Sequence, residues 1–154
     1  MKKSLIVIVA ALALSFTAAA QPKAVGLRVG VLDGITYEHY LGGDNFLEAN
    51  IGAYGWSNGM NFFVDGIYNF MIARPDWTPR GEWGFYAGPG ITLGTYRNGD
   101  ANAFDVGIVG QVGLEYTFWF PLNLSLDLRP RWNFISNVFV PDFFFPCLSV
   151  RYAF

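Results

Sequence analysis

The chain has 154 residues, with ten Lys or Arg against twelve Asp or Glu and a formal net charge of −2. That mild acidity gives no footing for nucleic acid, and the single cysteine, Cys147, excludes an internal disulfide framework. Only 14% of the residues are charged while 53% are hydrophobic and 18% aromatic, against about 25% charged in an ordinary soluble domain, so an apolar medium is expected to cover this protein.

Lys2 and Lys3 precede an apolar run from Leu5 to Leu14, and Ala18, Ala19 and Ala20 supply small residues before Gln21. This is the layout of a cleavable export signal, and the run is too short for a spanning helix, which needs about 20 apolar residues. Residues 1–20 are therefore expected to be a signal peptide and residues 21–154 a single domain, with a net charge of −4 once Lys2 and Lys3 are gone. No later run is long enough to span as a helix, because Gly, Asp, Asn or Pro interrupts each one, so a membrane-spanning domain would have to be built from strands.

From Ala24 onward the apolar residues recur with a period of two, and eight segments emerge between turn residues. Val25, Leu27, Val29 and Val31 share a face opposite Gly26, Arg28 and Gly30, and Asp33-Gly34 marks a hairpin. Ile35, Tyr37 and Leu41 oppose Thr36 and Glu38; Leu47, Ala49, Ile51 and Ala53 oppose Glu48, Asn50 and Gly52. Phe62, Val64, Tyr68, Phe70 and Ile72 oppose Asn61, Asp65 and Asn69, and a long turn from Ala73 to Glu82 carries Pro75 and Pro79. In the fifth segment, Trp83 to Arg97, large residues alternate with Gly84, Tyr86, Gly88, Gly90, Thr92 and Gly94. Arg97 to Asn102 reads as a polar loop. Phe104 to Phe118 then sets apolar residues against Asp105, Gln111, Gly113 and Glu115. The seventh segment is one strand, with Leu124, Leu126, Leu128, Trp132 and Phe134 against Ser125, Asp127, Arg129, Arg131 and Asn133. The last begins at Phe145 and ends with Leu148, Val150, Tyr152 and Phe154 opposite Ser149, Arg151 and Ala153, leaving Ser136 to Phe144 as the one long exterior loop. The expected fold class is all-β: an eight-stranded antiparallel up-and-down transmembrane β-barrel.

A soluble lipocalin-like barrel also alternates. The polar face separates the two, since a water-facing surface is about a quarter or more charged, whereas this one holds Gly, Thr and Asn with few charges and a single lysine, Lys23, after the signal. Such a face suits a crowded lumen, and Trp and Tyr near segment ends suit an aromatic girdle at the headgroups.

Val150, Tyr152 and the terminal Phe154 resemble the terminal strand signal of outer-membrane barrels. The size, signal peptide and strand count are similar to the OmpA/OmpX type of small barrel, and Gly113-Leu114-Glu115-Tyr116, Leu124 to Pro130 and Leu148 to Phe154 resemble small Bacteroidetes barrels of unassigned role. The resemblance implies location in the cell outer membrane, contact with its lipid, and insertion by the barrel assembly machinery through Val150, Tyr152 and Phe154.

An eight-stranded lumen is just wide enough for side chains to fill. Arg28, Glu38, Glu48, Glu115, Asp127, Arg129 and Arg151 share the inward parity and are expected toward one end, as a salt-bridge network in which Arg28, Arg129 and Arg151 pair with Glu38, Glu48, Glu115 and Asp127. No catalytic site is expected. His39, the only histidine, lies on the apolar parity without a serine beside it, unlike the histidine and serine of the lipid A deacylase and palmitoyltransferase barrels. The glycines Gly84, Gly88, Gly90 and Gly94 open no helix, so they make no phosphate loop, and are expected to pack against bulky lumen groups. Neither a metal nor another cofactor is expected. The leading reading is a non-catalytic structural or surface-interaction barrel with a plugged lumen and an unknown surface partner; a narrow solute channel comes second and a lipid-modifying enzyme third.

Overall fold

The computed structural model describes residues 23–55, 60–98, 101–134, 139–140 and 146–154. The expected signal peptide and its cleavage junction, and most of the Ser136–Phe144 loop, lie outside them. Ten segments are present: β1 Lys23–Val29, β2 Asp33–Tyr40, β3 Phe46–Tyr54, β4 Asn61–Ala73, β5 Glu82–Asn98, β6 Ala101–Thr117, β7 Asn123–Leu128, β8 Arg131–Asn133, β9 Phe139–Val140 and β10 Cys147–Ala153. Each is antiparallel to its neighbours, and the ring closes where β1 pairs with β10 from Val29↔Leu148 to Ala24↔Ala153. Beyond that ladder, Lys23 and Phe154 exchange two backbone hydrogen bonds of 2.9 and 2.7 Å, so the two ends of the described chain lie side by side at one rim.

Ten segments make eight staves. β7 and β8 are one strand, as the alternation requires, interrupted in its ladder at Arg129-Pro130 because proline has no N–H to donate. The register does not slip there: Leu128 faces Val112, Arg131 faces Val109, and the Gly110 N–H still reaches the Pro130 carbonyl at 2.9 Å. β9 and β10 together form the eighth stave, β9 on β8 and β10 on β7.

Two sequence expectations need correction. Arg97 to Asn102 is not a loop, since Arg97↔Asn102 and Asn98↔Ala101 are paired and β5 and β6 form one long hairpin. Ser136 to Phe144 is not wholly a loop either, because Phe139 and Val140 pair with Trp132 and Arg131, as suits an aromatic and a β-branched residue. The described part of the last strand begins at Cys147, Phe145 lying outside the description.

The barrel is inside out relative to a soluble one. Leu27, Ile35, Ile51 and Ile91 are 58–64% exposed on the outer wall, whereas Arg28, Glu38, Glu48 and Arg151 are 0–1% exposed within. A water-borne protein would forfeit about 25 cal/mol for every Å² of apolar surface so displayed. In lipid the same surface costs nothing, and the backbone polar groups are satisfied by the closed ladder.

The glycines of β5 are crowded by a neighbouring strand more than by lumen groups. A Cβ at Gly88 or Gly90 would collide with the carbonyls of Tyr68 or Gly66 on β4, and one at Gly94 with that of Phe62; lumen side chains are met at Gly84, by Glu115, and at Gly90, by Ile67. Inward glycines therefore let β4 and β5 close tightly as the wall curves.

Candidate functional site

Side chains from all eight staves converge in the lumen, and its polar centre is built from arginines and carboxylates. Arg28 on β1 makes a two-pronged contact with Asp127 on β7, Nη1 to Oδ2 at 2.5 Å and Nη2 to Oδ1 at 2.6 Å. Arg129 donates from Nη2 to Glu48 Oε1 at 2.7 Å and from Nη1 to Asp65 Oδ2 at 3.4 Å, with its Nε 3.8 Å from Asp127. Arg151 lies 2.9 Å from Glu38 and 3.3 Å from Glu48, and its Nη1 also donates to Ser125 at 2.6 Å and Asn123 at 3.1 Å. Asp65 is shared, taking a second contact from Arg131. All eight of these charged side chains are at most 2% exposed. Ion pairs held this far from bulk water are rigid because each partner would otherwise be left as an uncompensated charge.

The partners differ in part from those expected. Glu38 and Glu48 face Arg151, Glu48 also faces Arg129, and Arg28 is bound by Asp127, all within the expected set, so that Glu115 is the exception. Glu115 stands apart from the arginines: it accepts from Tyr40 Oη at 2.6 Å and from Asn123 Nδ2 at 3.5 Å, and no ion pair to it occurs among the described residues. Its neighbours on the terminal rim are phenol and amide, because Arg151 is turned away toward Glu38. Sequence reasoning also left out Asp65 and Arg131. Both were on the inward parity, which was the available signal; what was missing was their height, since the stagger between strands carries Asp65 of β4 to the level of Arg129. The network consequently runs from Glu38 near the terminal rim up to Arg131, and is not confined to one end.

Apolar side chains flank the charges. On the terminal side Phe46 stacks on Tyr40 and meets Tyr86 edge-on, with centroids 5.0 and 5.2 Å apart, and Tyr86 lies over Gly113 where any side chain would collide with it. On the other side the Arg131 guanidinium sits 4.2 Å above the Phe63 ring, and Phe63 packs with Leu32 and Cys147. Cys147 is fully buried, so a disulfide to a second chain would require the barrel to open first.

The outer wall and the rim complete the picture. Val150 and Tyr152 face outward with Leu148, and Phe154 stacks beside Tyr152 at 6.2 Å. His39 is on the same outer side, with Nδ1 3.4 Å from Tyr37 Oη, while Ser125 and Ser149 are buried inside. The wall therefore separates the histidine from these two hydroxyls. Among the described residues no group of three His, Cys, Asp or Glu side chains is placed to hold a metal ion.

No family model matches the sequence, and no curated protein matches it significantly. Among solved structures the chain is similar to the N-terminal β-barrel domain of Pseudomonas aeruginosa OprF, with 19% identity, a TM-score of 0.54, and coverage of 87% of this chain and 96% of that one. Neisserial surface protein A (NspA) aligns at 10% identity and a TM-score of 0.49 over 86% of this chain and 91% of that one. The closed ring, the outward apolar wall and the OprF superposition together identify the fold as that of a small eight-stranded outer-membrane β-barrel.

Proposed function

We propose that this chain is a non-catalytic barrel of the cell outer membrane, with a structural or surface-interaction role and a lumen plugged by its own side chains. The observation that carries this reading is the interlocked set of four arginines and four carboxylates across the lumen. A solute would have to displace paired, buried charges, each of which costs several kcal/mol to strand. The aromatic and apolar layers on either side add to the obstruction. Insertion by the barrel assembly machinery, with Val150, Tyr152 and Phe154 as its signal, belongs to the same reading, as does recognition of a surface partner by the connections between strands.

Planar-bilayer recording from the purified protein tests the plug. No steady current is expected, and a sustained, voltage-independent conductance of the wild-type protein would replace this reading with that of a narrow solute channel. Density-gradient fractionation of cell envelopes tests the location: recovery of the chain with inner membranes or in the soluble fraction would overturn it.

A further inference from the structure

Two prolines interrupt the barrel wall at the same height. Pro89 on β5 faces Gly110 on β6, and the Gly110 N–H bonds the Pro130 carbonyl on the next stave, so the three residues form one row on the lipid-facing side. Each proline removes a ladder donor: bridges lapse between Ile67↔Gly90 and Phe70↔Ala87 on one side of the row, and between Leu128 and Arg131 on the other. Proline inside a paired strand is a cost that sheets ordinarily avoid. Here the two rings become ridges. Gly110, with no side chain, is the floor between them, Ile108 and Trp132 border it, and the result is an apolar notch of about 480 Å³ in the outer wall.

The height of the notch can be read along β6. Six residues from Gly110 toward the terminal rim stands Tyr116, whose ring packs between Trp83 and Phe118 at 4.6 and 4.5 Å, and whose hydroxyl donates to the Arg80 carbonyl at 2.8 Å. Such an aromatic belt marks the headgroup boundary. At a rise of about 3.4 Å per residue on a strand tilted by about 40°, the notch lies about 15 Å deeper, near the middle of an apolar layer of about 25–30 Å. Arg80 is exposed at the belt, its guanidinium 6.0 Å from the Trp119 ring. A cation at the rim and an apolar notch at midplane depth are spaced as the phosphate and the tail end of one membrane lipid.

We propose that the Pro89–Gly110–Pro130 notch is a lipid site, seating the end of an acyl chain of a glycerophospholipid from the leaflet on the terminal side, with the phosphate at Arg80. The proposal rests on the outer-membrane reading and adds a defined, long-lived lipid to the general annulus.

Native mass spectrometry of the full protein, extracted from outer membranes in mild detergent, is the test. The wild type is expected to retain one glycerophospholipid. Gly110→Leu fills the notch and is expected to lower retention at least tenfold, because a Cβ there meets only Pro130 Cγ at 3.5 Å and the barrel can still close. Gly66→Leu is the matched control: Gly66 also faces outward, with nothing within 4 Å of a Cβ, and is expected to retain lipid as the wild type does. Arg80→Gln is expected to lower retention about threefold. Should the leucine variant not reach the folded, heat-modifiable form, Gly110→Ala carries the test, with an expected fall of about threefold. Equal retention in the Gly110 and Gly66 variants, a bare wild-type protein, or retained lipid A in place of phospholipid would each overturn the proposal. Failure of the underlying reading is seen separately, as absence of the protein from the outer-membrane fraction before any lipid is weighed.

Discussion

Breaking the Arg28–Asp127 pair from each side in turn should give unequal losses. Both side chains are fully buried and joined by two contacts of 2.5 and 2.6 Å. Stranding one member of such a pair costs about 3–5 kcal/mol. In Arg28→Leu, Asp127 keeps a second cation, Arg129 Nε at 3.8 Å, which places the expected loss near the lower end, about 3 kcal/mol, less whatever lumen water returns. In Asp127→Leu, Arg28 loses both of these contacts, and its Nε has no hydrogen bond among the described residues, so the loss should approach about 5 kcal/mol. The double variant removes both charges and is expected to lie within about 1 kcal/mol of the wild type, since replacing a whole buried pair by apolar groups is often neutral. Urea titration of the barrel refolded into lipid vesicles, followed by its heat-modifiable gel shift, measures all four corners of the cycle. Additive single losses, or a costlier Arg28→Leu than Asp127→Leu, would refute the pairing and the shared role of Arg129.

Leu126 is 49% exposed on the outer wall and pairs with Leu114, two residues inside the Tyr116 belt, so Leu126→Arg should destabilise the folded barrel by about 1–2 kcal/mol, between the interfacial and midplane costs, with Leu126→Phe nearly neutral in the same titration; equal effects would mean the wall does not face lipid. Inward parity is no guarantee of tolerance, because Ser125 Oγ lies 2.6 Å from Arg151 Nη1: Ser125→Arg is expected to set two cations together and lower the folded fraction, whereas Ser125→Asn should not. Cys147, fully buried behind Leu32 and Phe63, should react with a maleimide only after denaturation, and rapid labelling of the folded protein would show the lumen open at that level. Removing Phe154 deletes two closing hydrogen bonds to Lys23 and a ring beside Tyr152, and is expected to reduce the heat-modifiable fraction in cells; unchanged assembly would count against a terminal-strand signal.

The sequence alone determined which way each side chain points. A strand places successive residues on opposite faces, so parity is a local property, legible within each strand without knowing any partner. That was enough for the class, the strand count, the inverted distribution of apolar residues and the inward set of charges. It even held across Pro130, where the ladder lapses but the alternation from Asp127 through Arg129 and Arg131 to Asn133 does not.

Height was another matter. Which carboxylate meets which arginine depends on the stagger of each strand against the next, and that is set only when β1 closes on β10 around the whole ring. Only the closed barrel could turn Arg28 to Asp127, bring Asp65 and Arg131 into the cluster, and leave Glu115 to Tyr40. The same non-local register aligns Pro89, Gly110 and Pro130, residues from three staves whose spacing in the sequence shows no sign of a common site. Parity is written into each strand, whereas level belongs to the ring.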